Sequence, residues 1–186
     1  MRRHPLILLF TLLGILHAPS AWAAARDAIG GGWLKGGADA EYFANADLSG
    51  TPAFTRRDVR VDFDWGALRG PGGSRSPGFA GLGADNFSVR WTGQIMARFG
   101  ETYQFAVQCD DGARLFIRPA GAATWTTLID QWSTPGTHYA PSALIAGQPY
   151  DLRLEYRELT GTALCRLRWS SASTPEEVLE IGRAHV

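Results

Sequence analysis

Residues 100–117 read GETYQFAVQCDDGARLFI, and this stretch predicts a β-hairpin. Large apolar residues alternate with small or polar ones from Tyr103 to Cys109, as in a strand with one buried face. The chain is apolar again from Leu115 to Ile117. Between these segments, Asp110 and Asp111 precede a glycine. An Asp-Gly pair is sufficient for a hairpin turn, so the second carboxylate requires an explanation of its own.

The same period of two recurs along the chain. Residues 58–63 (DVRVDF), 87–91 (FSVRW) and 150–156 (YDLRLEY) alternate polar and apolar residues, which is typical of half-buried strands. Glycine and proline signals separate the short segments, and residues 68–83 form one long Gly/Pro-rich loop. No segment keeps helical spacing over three turns. The pattern predicts an all-β fold, an antiparallel β-sandwich.

Length and composition indicate one globular domain, and the small number of histidines argues against several classes of enzyme. The chain has 186 residues, of which 45% are hydrophobic, and its 18 basic residues balance 18 acidic ones. This balance argues against nucleic acid as a partner. Within the expected mature domain, His138 is the only histidine, and neither a nucleophile elbow nor a zinc-ligand spacing accompanies it. We therefore expect that this chain is not an enzyme, and the activity of a longer parent stays open.

The amino terminus has the pattern of a secretory signal. Two arginines precede an apolar run from Leu6 to Leu16, which is too short to span a bilayer comfortably, and small residues follow it. We expect residues 1–23 to be a signal peptide cleaved after Ala23, or alternatively after Ala25, and the uncleaved anchor helix is the other interpretation. Cleavage would leave a linker over residues 24–35 and a secreted, periplasmic or cell-surface protein without a membrane span.

Two cysteines fall on the apolar faces of predicted strands. Cys109 follows the alternation of Tyr103, Phe105 and Val107, and Cys165 shares its face with two other apolar residues. An exported protein meets an oxidising compartment, so the two cysteines are candidates for a disulfide. A bond and two separate buried thiols both stay open, since the sequence does not give their distance.

Asp110 and Asp111 would point to opposite faces of a regular strand. A kinked turn, or a cis peptide bond between them, would bring both carboxylates to one side. Together they would then suit calcium, which binds about 6–8 oxygen atoms. The residues alone leave two interpretations open, a solvated turn and a calcium site.

Several stretches occur together in a characteristic order. They are AEYFANADLSGTP (40–52), VDFDWG (61–66), DNFSVRWTGQIMA (85–97), GETYQFAVQCDDGARLFI (100–117), LIDQW (128–132), LIAGQPYDLRLEYRELTGTALCRLRW (144–169) and PEEV (175–178). In this order they resemble the PA-fourteen domain, the β-sandwich module named after anthrax protective antigen. The resemblance places the domain at residues 36–179.

The resemblance has implications for the aspartate pair. In the sugar-binding members of the family, the equivalent pair is joined by a cis peptide and holds a calcium ion that binds vicinal sugar hydroxyls. Asp110 and Asp111 match that pair. A second loop supplies further ligands, and the corresponding stretch here, residues 157–161, offers Glu158 as a metal ligand and Thr160 as a sugar contact. Glu158 stands where the adhesin lectins have asparagine.

Two tryptophans add to the candidate sugar contacts. Trp125 and Trp132 are aromatic residues that could be exposed and stack on a sugar ring. For Trp132, the alternative interpretation is that its ring closes the core behind residues 128–132.

Together these features predict a calcium-dependent carbohydrate-binding module of an exported bacterial protein, with Ca²⁺ as cofactor and a glycan or polysaccharide as partner. One alternative is an accessory module beside a secreted glycosidase or other hydrolase whose catalytic domain is missing. Another is a protein-contact module, like the toxin member after which the family is named.

Residues 180–186 (EIGRAHV) break the alternation of the preceding segments. The same seven residues are encoded by a DNA string that largely matches a common sequencing adapter. We therefore expect a non-native tail and a fragment of a longer chain, and a genuine short polar tail is the alternative.

Overall fold

The computed structural model describes residues 36–67 and 82–182. Within these ranges the chain forms strands and no helix, and thus no helix that could cross a membrane. The strands are β1 (Ala38–Phe43), β2 (Phe54–Asp58), β3 (Asp62–Gly66), β4 (Phe87–Met96), β5 (Thr102–Asp110), β6 (Gly112–Pro119), β7 (Thr126–Gln131), β8 (Gly136–Ala143), β9 (Pro149–Glu158), β10 (Ala163–Ser170) and β11 (Glu177–Val178). The predicted signal peptide and linker, most of the predicted long loop and residues 183–186 lie outside the described residues.

The described strands form two antiparallel sheets. The larger sheet has the order β2-β1-β4-β9-β6-β7. In the other sheet the order is β11-β10-β5-β8, and β3 also pairs with β10. The predicted antiparallel β-sandwich is confirmed.

Strands β5 and β6 do not form the predicted hairpin. β5 pairs with β8 and β10 in one sheet, whereas β6 pairs with β7 and β9 in the other. Both edges of each strand are thus occupied by other partners. The turn that contains Asp111 is therefore a corner at which the chain crosses from one sheet to the other.

Alternation along each strand builds the core between the sheets. On β9, Tyr150, Leu152, Leu154 and Tyr156 are buried, as the sequence pattern predicts. Aromatic rings fill much of the space, and the ring centroids of Tyr103 and Trp169 lie 4.6 Å apart. Such pairs stabilise a core by about 0.5–1.5 kcal/mol beyond the area that they bury.

One buried carboxylate in the core is fully partnered. Oδ2 of Asp58 accepts hydrogen bonds from the hydroxyl of Tyr42 at 2.7 Å and from Nε1 of Trp91 at 2.8 Å. Its Oδ1 lies 2.6 Å from Nε of Arg56. These contacts replace the water that the carboxylate loses on folding, so Asp58 has a structural role.

The sandwich continues beyond Leu179, where the predicted domain ends. Glu180 forms a β-bridge with Arg60. Ile181 is buried, and its carbonyl accepts a hydrogen bond of 2.8 Å from the backbone N–H of Gly37. The folded part of the chain therefore includes residues 180–182, because an apolar side chain at 181 completes the core.

Candidate functional site

Four carboxylates gather at one end of the sandwich, and we call this group the acidic tip. Asp110 ends β5 and Asp111 follows it at the corner, while Glu158 ends β9. Asp85 lies just before β4, and the pairing of Phe87 with Glu158 brings the start of β4 to the end of β9. The tip is therefore assembled from segments that are distant in the sequence.

The peptide bond between Asp110 and Asp111 is cis, as the resemblance implied. The backbone N–H of Asp111 donates to the carbonyl of Arg157 at 3.3 Å. Its Oδ2 accepts hydrogen bonds from the backbone N–H groups of Leu159 at 2.6 Å and Thr160 at 3.3 Å. One oxygen of Asp111 thus holds the second loop against the corner, and Oδ1 accepts no such bond from the described residues.

Tyr156 connects Asp110 and Glu158 on the core side of the acidic tip. Its buried hydroxyl lies 2.5 Å from the carbonyl oxygen of Asp110 and 2.9 Å from Oε2 of Glu158. It also accepts a hydrogen bond of 3.1 Å from the backbone N–H of Leu164. The hydroxyl has one hydrogen for two acceptor oxygens. A protonated Glu158 would supply a second hydrogen and could donate it to the hydroxyl oxygen.

Glu158 is buried, and its Oε1 has no hydrogen-bond partner within the described part of the chain. Burial raises the pKa of Glu158 to about 7, and the negative charges of Asp111, Asp110 and Asp85 add to this shift, while the hydrogen bond from Tyr156 opposes it. The pKa of Asp110 is also raised, first by partial burial and then by the charge of Asp111. Negative charges that raise the pKa of Glu158 and of Asp110 mark a site that favours a cation.

The donor set suits calcium more than a transition metal. It consists of carboxylate oxygens. Among the described residues, Oε1 of Glu158 has no hydrogen-bond partner and Oδ1 of Asp111 accepts no backbone hydrogen bond, so both oxygens are available for an ion. However, over residues 36–67 and 82–182 no three His, Cys, Asp or Glu side chains converge closely enough to hold a metal by themselves. Asp110, Asp111 and Glu158 therefore share one end of the fold without forming a ready three-carboxylate cage. Backbone carbonyls, water or ligand hydroxyls would have to complete the shell.

The two tryptophans predicted as sugar contacts lie outside the core. Trp132 is half-buried on the outer face of the larger sheet, 4.1 Å from the guanidinium of Arg114 and 5.2 Å from that of Arg157. Trp125 is stacked in the same way, 4.3 Å from the guanidinium of Arg118. The interpretation that Trp132 closes the core is wrong, because its ring packs on arginine side chains instead.

Sequence reasoning missed two residues at the acidic tip. Oδ1 of Asp85 accepts a hydrogen bond of 3.1 Å from the backbone N–H of Gly161, so it holds the far side of the second loop. Tyr156 reads as an ordinary core position in the alternation of β9. Only the antiparallel pairing of β4 with β9 could have indicated Asp85, and that pairing is not visible in the local pattern.

Comparisons with known proteins agree with the fold. The family model of the PA14 domain matches residues 34–180. The chain is 36% identical over 141 residues to the anti-sigma-I factor RsgI3 of Acetivibrio thermocellus, an alignment that covers 75% of this chain and 20% of that protein. The chain thus spans about a fifth of the curated relative that it matches.

Solved structures with a similar fold include relatives of the same kind. An anti-sigma factor domain-containing protein from Clostridium clariflavum is 33% identical, with a TM-score of 0.65 over 81% of this chain and 47% of that one. The A domain of epithelial adhesin 9 from Candida glabrata, solved in complex with Galβ1-4GlcNAc, is 12% identical. Its TM-score is 0.58, over 80% of this chain and 87% of that one, and this likeness concerns the fold alone.

Proposed function

Because the chain belongs to the PA14 domain family, we propose that it is a calcium-dependent carbohydrate-binding module of an exported protein. The observation that carries this proposal is the acidic tip, where the adjacent Asp110 and Asp111 stand beside the buried Glu158. A cluster of carboxylates with an orphaned oxygen needs either protons or a cation. At neutral pH a hard divalent cation is the ligand that fits such oxygens.

Asp110 and Asp111 would hold the ion, and Glu158 would contribute Oε1. When bound, calcium would supply coordination positions for two neighbouring hydroxyls of a sugar. Asp111 would serve a second purpose, because its Oδ2 fixes the second loop through Leu159 and Thr160. The exposed Thr160 would then stand at the edge of the sugar site.

The likeness to anti-sigma factors favours a particular setting for this binding. The sequence identity of 36% to part of a much longer anti-sigma-I factor supports a recognition module within a regulatory protein. In that setting, the module would bind a polysaccharide outside the cytoplasm. The signal-like amino terminus agrees with export. The likeness to an anti-sigma-I factor supports a sensing module over an accessory module of a glycosidase.

Calorimetry with calcium tests the metal part of the proposal. Wild-type protein should bind one calcium ion. Replacement of either aspartate, Asp110→Asn or Asp111→Asn, should weaken binding at least about tenfold, which corresponds to about 1.4 kcal/mol. Asp39→Asn is the matched control, because Asp39 is an exposed aspartate that pairs with Arg57 on the outer face. Equal binding by all four proteins would contradict the assignment of the site.

A glycan array with calcium, and again with a chelator, tests the carbohydrate part. Binding to a defined set of glycans should require calcium and should be lost in Asp111→Asn. Calcium binding without any glycan or polysaccharide binding would refute the carbohydrate function while leaving the metal site in place.

A further inference from the structure

The two cysteines face each other across neighbouring strands. Cys109 of β5 lies directly opposite Cys165 of β10, next to the pair formed by Asp110 and Leu164. Both are buried as free thiols, and both belong to the same core cluster. Directly opposed residues of antiparallel strands have Cα atoms about 4.5–5.5 Å apart. A disulfide requires about 4.4–6.8 Å, so the backbone register already meets this requirement.

We propose that Cys109 and Cys165 form an oxidisable pair that closes a cross-strand disulfide directly behind the acidic tip. The oxidant would be a small-molecule disulfide such as oxidised glutathione. The thiolate of one cysteine attacks a sulfur of that disulfide and expels one glutathione thiolate. The thiolate of the other cysteine then attacks the mixed disulfide and expels the second glutathione. The protein loses two protons and two electrons, and two molecules of reduced glutathione are formed.

The burial of the pair favours an internal bond over a bond between two molecules. Cys165 is 0% exposed and Cys109 is 1% exposed, so neither sulfur can meet a second folded chain. The chain has no further cysteine that could compete. The strand register therefore gives each thiol a single cysteine with which it can form a disulfide.

Burial also sets the conditions under which the bond forms. Both sulfurs lie inside the core, where a dissolved disulfide cannot reach them while the two strands are paired. Oxidation should be slow in the native state and should accelerate when β5 and β10 separate.

Once formed, the bond would join two strands that meet at the acidic tip. Its loop would enclose the chain from Cys109 to Cys165, and such a long loop restricts the unfolded chain strongly. The oxidised protein should therefore melt at a higher temperature than the reduced protein. Amide exchange in β5 and β10 should slow more than exchange in β1 and β2, which lie in the other sheet.

The test uses the reduced protein, incubated with oxidised glutathione in water and in a low concentration of urea. The samples are then denatured, alkylated and weighed as intact chains. We expect a monomer that is lighter by two hydrogen atoms and takes up no alkylating reagent, with faster conversion in urea. Reductant should restore both thiols and return the melting temperature to its lower value.

Cys165→Ala is the matched variant, since it leaves Cys109 without its partner. It should give only unmodified chains or a glutathione adduct, and its melting temperature should not rise on oxidation. The proposal is overturned if wild-type protein keeps two alkylatable thiols in both solutions, or yields only glutathione adducts or linked dimers. The wild-type mass decides the question even if the variant does not fold.

Discussion

Asp111 uses its two carboxylate oxygens differently. Oδ2 receives two backbone N–H groups from the second loop, and Oδ1 is left for a ligand. A carboxylate that accepts hydrogen bonds from backbone amides is held in one orientation. Asp111 therefore connects the shape of the loop to the position of the ligand, which a freely rotating side chain could not do.

Glu158 makes the stability of the calcium-free protein depend on pH. Its pKa is raised to about 7 in the folded state and returns to its ordinary value in the unfolded chain. The folded state thus binds more protons between these two values, and stability must fall as pH rises from about 5 to 7. Above the folded pKa, this contribution stays constant.

We expect urea denaturation at pH 5 and pH 8, with chelator present, to show this loss. Glu158→Gln removes the titrating group and keeps the size of the side chain, so the variant should lose less stability over the same interval. An equal loss in both proteins would mean that Glu158 does not titrate in this range. Calcium should reduce the difference between the two pH values, because a bound cation favours the ionised form.

At the scale of elements, the corner between β5 and β6 is packed against the chain that follows β7. Gly112 is buried, and a Cβ atom at this position would overlap the carbonyl oxygen of Trp132. A backbone carbonyl cannot turn aside as a flexible side chain can. The corner therefore requires glycine because of a close approach between two backbone segments.

Gly112→Ala should consequently destabilise the fold by about 1–3 kcal/mol, the range typical of overpacking. We also expect weaker calcium binding, since Gly112 adjoins Asp111. Gly36→Ala is the control, because a Cβ there meets no atom within 4 Å. Chemical denaturation measures the stability of both variants, and calorimetry measures their calcium binding. If Gly112→Ala leaves the protein as stable as the control, the corner can adjust to a side chain.

At the scale of the whole molecule, the last described residues close the sandwich. Ile181 is buried, and its Cγ2 lies where a side chain at Gly93 would have to fit. The backbone N–H of Gly182 donates to the carbonyl of Gln94 at 2.8 Å. Residues 181 and 182 therefore contact strand β4 at the centre of the larger sheet, far from them in sequence.

Ile181→Ala should lower the free energy of unfolding by about 2–5 kcal/mol, as for other buried isoleucines. Ile145→Ala is the matched control, because Ile145 is 62% exposed, and its effect should stay within about 0.5 kcal/mol. Thermal melting of both variants would distinguish them. Similar melting temperatures would show that residue 181 adds nothing to the fold.

The sequence by itself determined the features that depend on local alternation. A period of two identifies a strand and its buried face wherever one side of the strand meets the core, so the all-β fold and the inward cysteines could be predicted. The adjacent Asp110 and Asp111 were visible as an unusual pair because a turn before Gly112 needs only one of them. None of these features requires knowledge of which strands become neighbours.

Only the tertiary structure decided which distant groups meet. Strand pairing brings Asp85 and Glu158 to the aspartate pair, sets Cys109 opposite Cys165 and sends β5 and β6 into different sheets. It also directs Trp132 onto arginines at the outer face rather than into the core. Local patterns cannot specify these contacts, because a strand with one apolar face can pair with many others. The choice among them depends on how all the described strands bury their faces together.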